Sequence, residues 1–198
     1  MIVRKLLSMF HRRCRTYVAD GRGSSAVEFA LLLPLMLVMY FGSIEVTDAV
    51  SADRQAALVA DTVANIAAQY STVAGTDVNG FLTAAKYVLK PFSQNNLQVT
   101  LSSVLIDASG NATVDWSATY RGTPRTGNVT SSIPAALRPA NVSPCTTPGP
   151  SCTSVLWGEA TYAYRPVIGW VVTGTINLRS QSFMVPRLAK CVHYNGAC

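Results

Sequence analysis

The feature that most constrains this chain is a run of sixteen residues without a charge, Phe29 to Ile44 (FALLLPLMLVMYFGSI), set directly behind a basic leader. At 1.5 Å per residue, a helix over that run covers roughly 24 Å of a hydrocarbon core about 30 Å thick. The flanks Ser24–Val27 and Ser43–Val50 are mostly small or apolar, so a helix from about Ser25 to Val50 is long enough to cross. Pro34 lies inside the run; membrane helices accept such a proline with a kink. Glu28 and Glu45 sit near its two ends. Residues 1–23 hold six basic residues (Arg4, Lys5, Arg12, Arg13, Arg15, Arg22) and one acid, Asp20, while the rest of the chain holds ten bases and nine acids. The net charge of +6 is therefore a property of the leader. The body is near neutral and has no basic footprint for phosphate, so no nucleic-acid partner is expected. The positive-inside rule keeps the leader in the cytoplasm and puts the long C-terminal part outside. Charged residues are only 13% of the chain, against about 25% in ordinary globular proteins, which argues against a disordered or highly charged cytosolic chain.

A conventional cleaved signal peptide is the rival reading of the same run. The run is longer than an ordinary h-region, and the helical pattern continues through the small-residue segment EVTDAVSADRQAA where a cut would fall. Beyond it, Ala49, Ala52, Ala56, Val59, Val63, Ile66 and Tyr70 recur at alternating steps of three and four, a heptad seam. Asp53, Arg54, Asp61, Asn65 and Gln69 fall off the seam. Its residues are mostly small, which suits close packing on the chain's own domain, on other subunits, or on each at a different depth. Membrane segment and stalk together predict one helix from about Ser25 to Gln69, near 65 Å long.

The leader ends in Gly21-Arg22-Gly23-Ser24-Ser25-Ala26-Val27-Glu28-Phe29-Ala30. A glycine, a small residue, a glutamate five places after the glycine, an aromatic residue and a long apolar helix resemble the cleavage motif of type IV prepilins. The Glu28-Phe29 pair is similar to that of the TadE-like pseudopilins of the tight-adherence (Tad, Flp-type) pilus. The resemblance implies cleavage after Gly23 by an inner-membrane prepilin peptidase, with Ser24 as the new N-terminus. It also makes Glu28, with Phe29, the assembly residue, the glutamate pairing with the N-terminal amine of a neighbouring subunit. The chemistry is coherent on its own terms: glycine lets the backbone enter a protease cleft extended, and a carboxylate inside an apolar environment is costly unless paired. A second stretch, Thr161-Tyr162-Ala163-Tyr164-Arg165-Pro166, followed by a variable segment and then Thr175–Arg187, also resembles TadE- or TadG-like proteins. The exported part is larger than a major Flp pilin, which favours a minor pilin or pseudopilin.

Residues 71–198 form one candidate domain. Asp77–Leu89 reads as a helix, with Phe81, Leu82, Ala85, Val88 and Leu89 on one side and Pro91 beyond its end. Leu97–Tyr120 reads as a β-hairpin turning at Asp107-Ala-Ser-Gly-Asn111, with Val114, Trp116, Ala118 and Tyr120 on one face of its second strand. Val155–Arg165 alternates as a strand, and Val171–Met184 is a last strand region, broken near Gly174. The strand aromatics are expected in the core. Gly122–Ser154, rich in Pro, Ser and Thr, reads as an exposed loop. The fold class is α+β: a long N-terminal transmembrane and stalk helix packed on a small antiparallel sheet, as in pilins. The chain divides into a leader (1–23), a membrane helix (24–50), a stalk (51–70) and a periplasmic domain (71–198) carrying the 122–154 loop.

Cys14 lies in the leader, which leaves Cys145, Cys152, Cys191 and Cys198 outside. Local pairing, 145 with 152 and 191 with 198, is the simplest scheme, and the other two pairings stay open. An oxidising periplasm suits disulfides, and closing an eight-residue loop is worth about 2.5 kcal/mol in the chain-entropy model. Zinc at Cys191 and His193 is a weaker rival, without any paired Cys-x-x-Cys. The two histidines, His11 and His193, and the scattered acids build no catalytic set. A pairing of Asp107 with Asp115 is better read as solvated hairpin charges. No enzyme activity, metal or cofactor is expected. The first reading is a minor pilin or pseudopilin of the bacterial inner membrane, with its N-terminus cytoplasmic and its domain periplasmic. Its partners would be the prepilin peptidase, other pilin subunits and the Tad assembly platform, and its end point the pilus and surface adhesion. The alternatives are an uncleaved single-pass scaffold and a tethered ligand-binding module using the 122–154 loop.

Overall fold

The computed structural model describes residues 23–138, 153–166, 169 and 173–195. The leader with Cys14, the loop residues 139–152 with Cys145 and Cys152, the residues Val171 and Val172, and Cys198 lie outside the described residues.

Helix α1 runs unbroken from Ser24 to Ala67, through Pro34, within a residue or two of the expected bounds. Ser25 to Tyr40 are exposed; burial on this helix begins at Phe41. The seam residues Ala52, Ala56, Val59 and Val63 are fully buried, and Ala60, Ala64, Ala67 and Ala68 join them. Ala49 and Ile66 are partly buried against the same core. The seam is therefore wider than a heptad stripe, because the partner is a broad sheet and not a second helix. Tyr70 ends the series largely exposed, its ring 5.1 Å from that of Phe81.

A short strand β1 (Thr72–Val73) leads into helix α2 (Gly75–Val88), two residues ahead of the expected start. The Asp77 carboxylate accepts the Ala74 N–H at 2.9 Å, which satisfies one donor of the first turn. Val78, Phe81, Leu82 and Ala85 form the buried face of α2. Four strands follow: β2 (Leu97–Ile106), β3 (Ala112–Tyr120), β4 (Thr153–Tyr164) and β5 (Ile176–Met184). They form one antiparallel sheet in the order β3-β2-β4-β5, with α1 and α2 against one face. A two-residue strand β6 (His193–Tyr194) returns to pair in parallel with β1. The fold is α+β, a long helix on a small antiparallel sheet.

The expected alternation of β3 is corrected in one respect. Ser103 pairs with Trp116 but Val104 pairs with Val114, so Asp115 is an extra residue. Such a bulge shifts the side-chain phase by one. Trp116, Ala118 and Tyr120 face the helices, whereas Ala112 and Val114 turn to the other face. There they meet Val104, Ile106, Val155 and Trp157 in a second core. Val129 and Ile133 from the proline-rich stretch cap that core and are buried. The described part of the loop is thus mostly exposed but pinned to the sheet by these two apolar side chains and by hydrogen bonds from Ala112 N to Thr130 Oγ1 and Val114 N to Gly127 O.

The hairpin turn is held by Asp107. Its carboxylate accepts from Ser109 N (2.9 Å), Asn111 N (2.7 Å) and Asn111 Nδ2 (2.9 Å). These bonds, the Asn111 side chain first, hold its pKa below the usual carboxylate value. A depressed folded pKa gives stability that is present above the unfolded value of about 3.9 and lost as pH falls through the folded one. Asp107→Asn is therefore expected to lower the thermal midpoint at pH 7 and to flatten its dependence on pH below about 4. Thermal melts of both chains across that range check this.

Candidate functional site

Two regions are candidates: the helix start, where the residues expected from the sequence to be cleaved and to assemble lie, and the open face of the sheet. Gly23 precedes α1 with φ −83° and ψ −12°, and it makes no side-chain cap. A Cβ built on it would meet nothing within 4 Å among the described residues. Helical structure begins at Ser24, so the expected scissile bond lies at the boundary between leader and helix. Glu28 and Phe29 are one turn further on, exposed on the first part of α1. Ser24 and Glu28 stand four residues, about one turn, apart along the helix. Pro34 is carried within the continuous helix, where its ring nitrogen donates no bond. From Ser25 the helix is long and apolar enough to cross a membrane.

The exposed and packed parts of α1 meet at Phe41–Asp48. Tyr40 and Phe41 have ring centroids 5.5 Å apart. Glu45 is only 2% exposed, and Asp48 is half-buried. Tyr164, at the end of β4, is buried within electrostatic reach of both. Burial first, then the charges of Asp48 and Glu45, push its phenol pKa up. Its hydroxyl has no hydrogen-bond partner among the described residues. Alternation places Tyr164 in the core but gives no signal for the charges of Asp48 and Glu45 that reach it, because these lie 116 and 119 residues away in the chain.

On the sheet face away from α1 lies an open groove of about 800 Å³, lined by Gln98, Thr161, Arg179 and Gln181 and walled by Pro124 and Ser132 of the loop. Arg125 fixes the wall. Its guanidinium donates to both oxygens of Glu159, at 2.9 and 2.6 Å, and lies 4.9 Å from the centre of the Trp157 ring. That pairing raises the guanidinium pKa. Phe183 stacks on Trp157 at 5.7 Å. Trp157 is 2% exposed, so it presents no ring for a ligand to stack on; the strand aromatics are core, as expected.

The C-terminal segment is strapped across the domain. Trp116 Nε1 donates to Val192 O at 2.9 Å, and the Trp116 ring stacks on Tyr194 at 5.3 Å. Cys191 is buried and its sulfur is engaged, not free. The sulfur lies 4.0 Å from His193 Nε2. Cys145, Cys152 and Cys198 lie outside the described residues, so the pairing scheme does too. Asp107 and Asp115 form no pair: Asp107 is committed to its own turn, while Asp115 is pushed up in pKa by burial, opposed by nearby His193.

The family model described as TadE-like protein matches residues 23–65. The match starts at the glycine expected before the cut and covers the membrane run and most of the buried seam. No curated protein and no solved structure matches the chain.

Proposed function

We propose that this chain, which carries a TadE-like domain over residues 23–65, is a minor pilin or pseudopilin of the Tad pilus system, made as an inner-membrane precursor and cut after Gly23. The single observation that carries this reading is the coincidence of the TadE-like match with an exposed apolar helix that begins at Ser24. The TadE-like domain supports involvement with the Tad pilus system. The geometry supports the finer steps. Among the described residues nothing lies within 4 Å of a Cβ built on Gly23, which suits a protease substrate. Cleavage there removes the leader charge and leaves a free amine at Ser24, one turn from Glu28. The sheet domain covers only the outer half of α1, so the apolar Ser25–Tyr40 stretch stays available, first to lipid and then to the helices of other subunits. In this reading the role is structural and not enzymatic, and the domain lies in the periplasm, where Cys145, Cys152, Cys191 and Cys198 form two disulfides.

The test is the intact mass and N-terminal sequence of the membrane-extracted protein, with and without its prepilin peptidase. A chain starting at Ser24 only when the peptidase is present is the expected result. A start at Met1 in both samples overturns processing and leaves an anchored scaffold. A start beyond Ile44 means a conventional signal peptide. The same spectrum, taken without reductant, shows each disulfide as two missing hydrogens.

A further inference from the structure

We propose that the end of the sheet domain nearest the membrane is a docking rim for anionic phospholipid headgroups, built from Lys86, Lys90, Arg121 and Arg165 with Tyr87 and Tyr120. The proposal rests on the reading of α1 as a membrane-spanning helix.

Strand β4 fixes which end is which. Gly158 lies against Ala60 and Ala64 of α1; on the antiparallel β5, Ser182 donates to Asp61, and Arg187, past the end of that strand, donates to Asn65, while Tyr164, six residues past Gly158, feels the charges of Asp48 and Glu45. β4 therefore runs down the helix toward its exposed apolar part. Other segments arrive at the same level. The Phe92 ring lies 6.3 Å from Tyr162 and 6.4 Å from Tyr164. Asn96 donates to Ala163 O at 3.3 Å, and Arg121 donates to Asn95 O. Lys86 Nζ sits 5.3 Å from the Tyr87 ring and 5.5 Å from the Tyr120 ring. Lys90 Nζ is 5.5 Å from Tyr87, and the Arg121 guanidinium 5.4 Å from Tyr120. Arg165 follows Tyr164 and is exposed.

Cations outnumber carboxylates four to two at this end. None of these four cations forms an ion pair among the described residues, where the recorded pair is Arg125 with Glu159. The carboxylates nearest along α1 are Glu45, which is buried, and Asp48, which is half-buried. In a body that is otherwise near neutral, four cations with two tyrosine rings at one end are a concentrated feature. Lysine, arginine and tyrosine are the side chains that place an apolar stem or ring in an interface and a polar tip in water.

The height fits. Tyr40 closes the fully exposed stretch of α1, and Tyr40 with Phe41 forms an aromatic pair of the kind found at membrane interfaces. A core of about 30 Å counted from Ser25 ends near Ile44, so Glu45 and Asp48 stand about 2 and 6 Å beyond its edge. The headgroup layer on one side of a bilayer is roughly 5–8 Å deep, and charge is felt over about 8–10 Å beyond it. The rim therefore stands at or just above the headgroups. Each cation held there is worth about fivefold in the docking equilibrium. The rim would keep the domain upright on its membrane until the subunit is withdrawn into a fibre.

The test uses the full chain in lipid nanodiscs of phosphatidylcholine alone or mixed with phosphatidylglycerol, each carrying a headgroup photo-crosslinker. Cross-linked peptides are mapped by mass spectrometry. Labelling at Tyr87–Phe92 and Tyr120–Arg121 is expected in the anionic discs, reduced at least fivefold in neutral discs, at high salt, and in K86Q/K90Q/R121Q. Equal rim labelling in neutral and anionic discs, or none in either, overturns the proposal. The lipid and salt arms use the wild-type chain, so they stand even if the triple variant folds poorly. A parallel acyl-chain probe reads Leu31–Val38: labelling there without rim labelling sinks the rim alone, while its absence sinks the spanning helix.

Discussion

Replacing Gly158 by valine is expected to cost about 3 kcal/mol or more of domain stability, the upper end of overpacking effects. A Cβ at this position would fall inside the contact distance of the Ala60 carbonyl oxygen and 3.1 Å from both Ala64 Cβ and Val63 Cγ1. Neither side can yield easily. Gly158 lies in a central strand, paired with Leu101 on one side and Ser182 on the other. Ala60, Val63 and Ala64 belong to a continuous helix whose backbone carbonyls are tied into its own hydrogen bonds. Gly158→Ala is expected to show a smaller loss of the same sign. Urea unfolding of the detergent-solubilised chain checks both. An alanine variant with the wild-type midpoint would show that the helix can back away from the sheet.

This contact also shows what could be read from the sequence and what could not. The seam of α1 was legible because small residues at helical spacing announce a close partner. The identity of that partner was not, because Gly158 inside an alternating strand looks only like a weak point. The hairpin was legible from Asp107–Asn111 and its flanking alternation. The bulge at Asp115 was not, since one extra residue leaves no local mark in a strand of alternating Thr, Asp and Ser. Its consequence is the second core, which needs the phase shift to bring Ala112 and Val114 to the face that Val129 and Ile133 cover. The loop looked wholly exposed because its prolines and serines outnumber those two anchors. At the functional end, the helix-start motif stood in plain order because it is local. The Glu45–Tyr164 approach and the basic rim are made by strands returning from far along the chain, and no window of sequence contains them.

Glu28→Ala is expected to leave processing intact and abolish incorporation into the pilus, whereas Gly23→Val is expected to block processing itself. The two variants separate roles that a deletion would merge. Valine at the scissile position adds a β-branched side chain to a site that is bare in this chain, and the leader with its cations would stay attached. Alanine at Glu28 leaves the cleaved bond untouched five residues away. What it removes is the carboxylate that, in the proposed assembly, meets the new Ser24 amine of a neighbour in a low-dielectric setting. Breaking one side of a buried ion pair costs about 3–5 kcal/mol, on the order of a few hundredfold or more in subunit association. Glu28→Asp, which keeps the charge on a shorter stem, should recover part of that loss. The readouts are the mature N-terminus of the membrane fraction and the amount of chain in sheared fibres. A Glu28→Ala chain that is processed and still reaches the fibres at wild-type level would remove Glu28 from assembly. Its carboxylate would then be no more than a polar group at the mouth of a membrane helix.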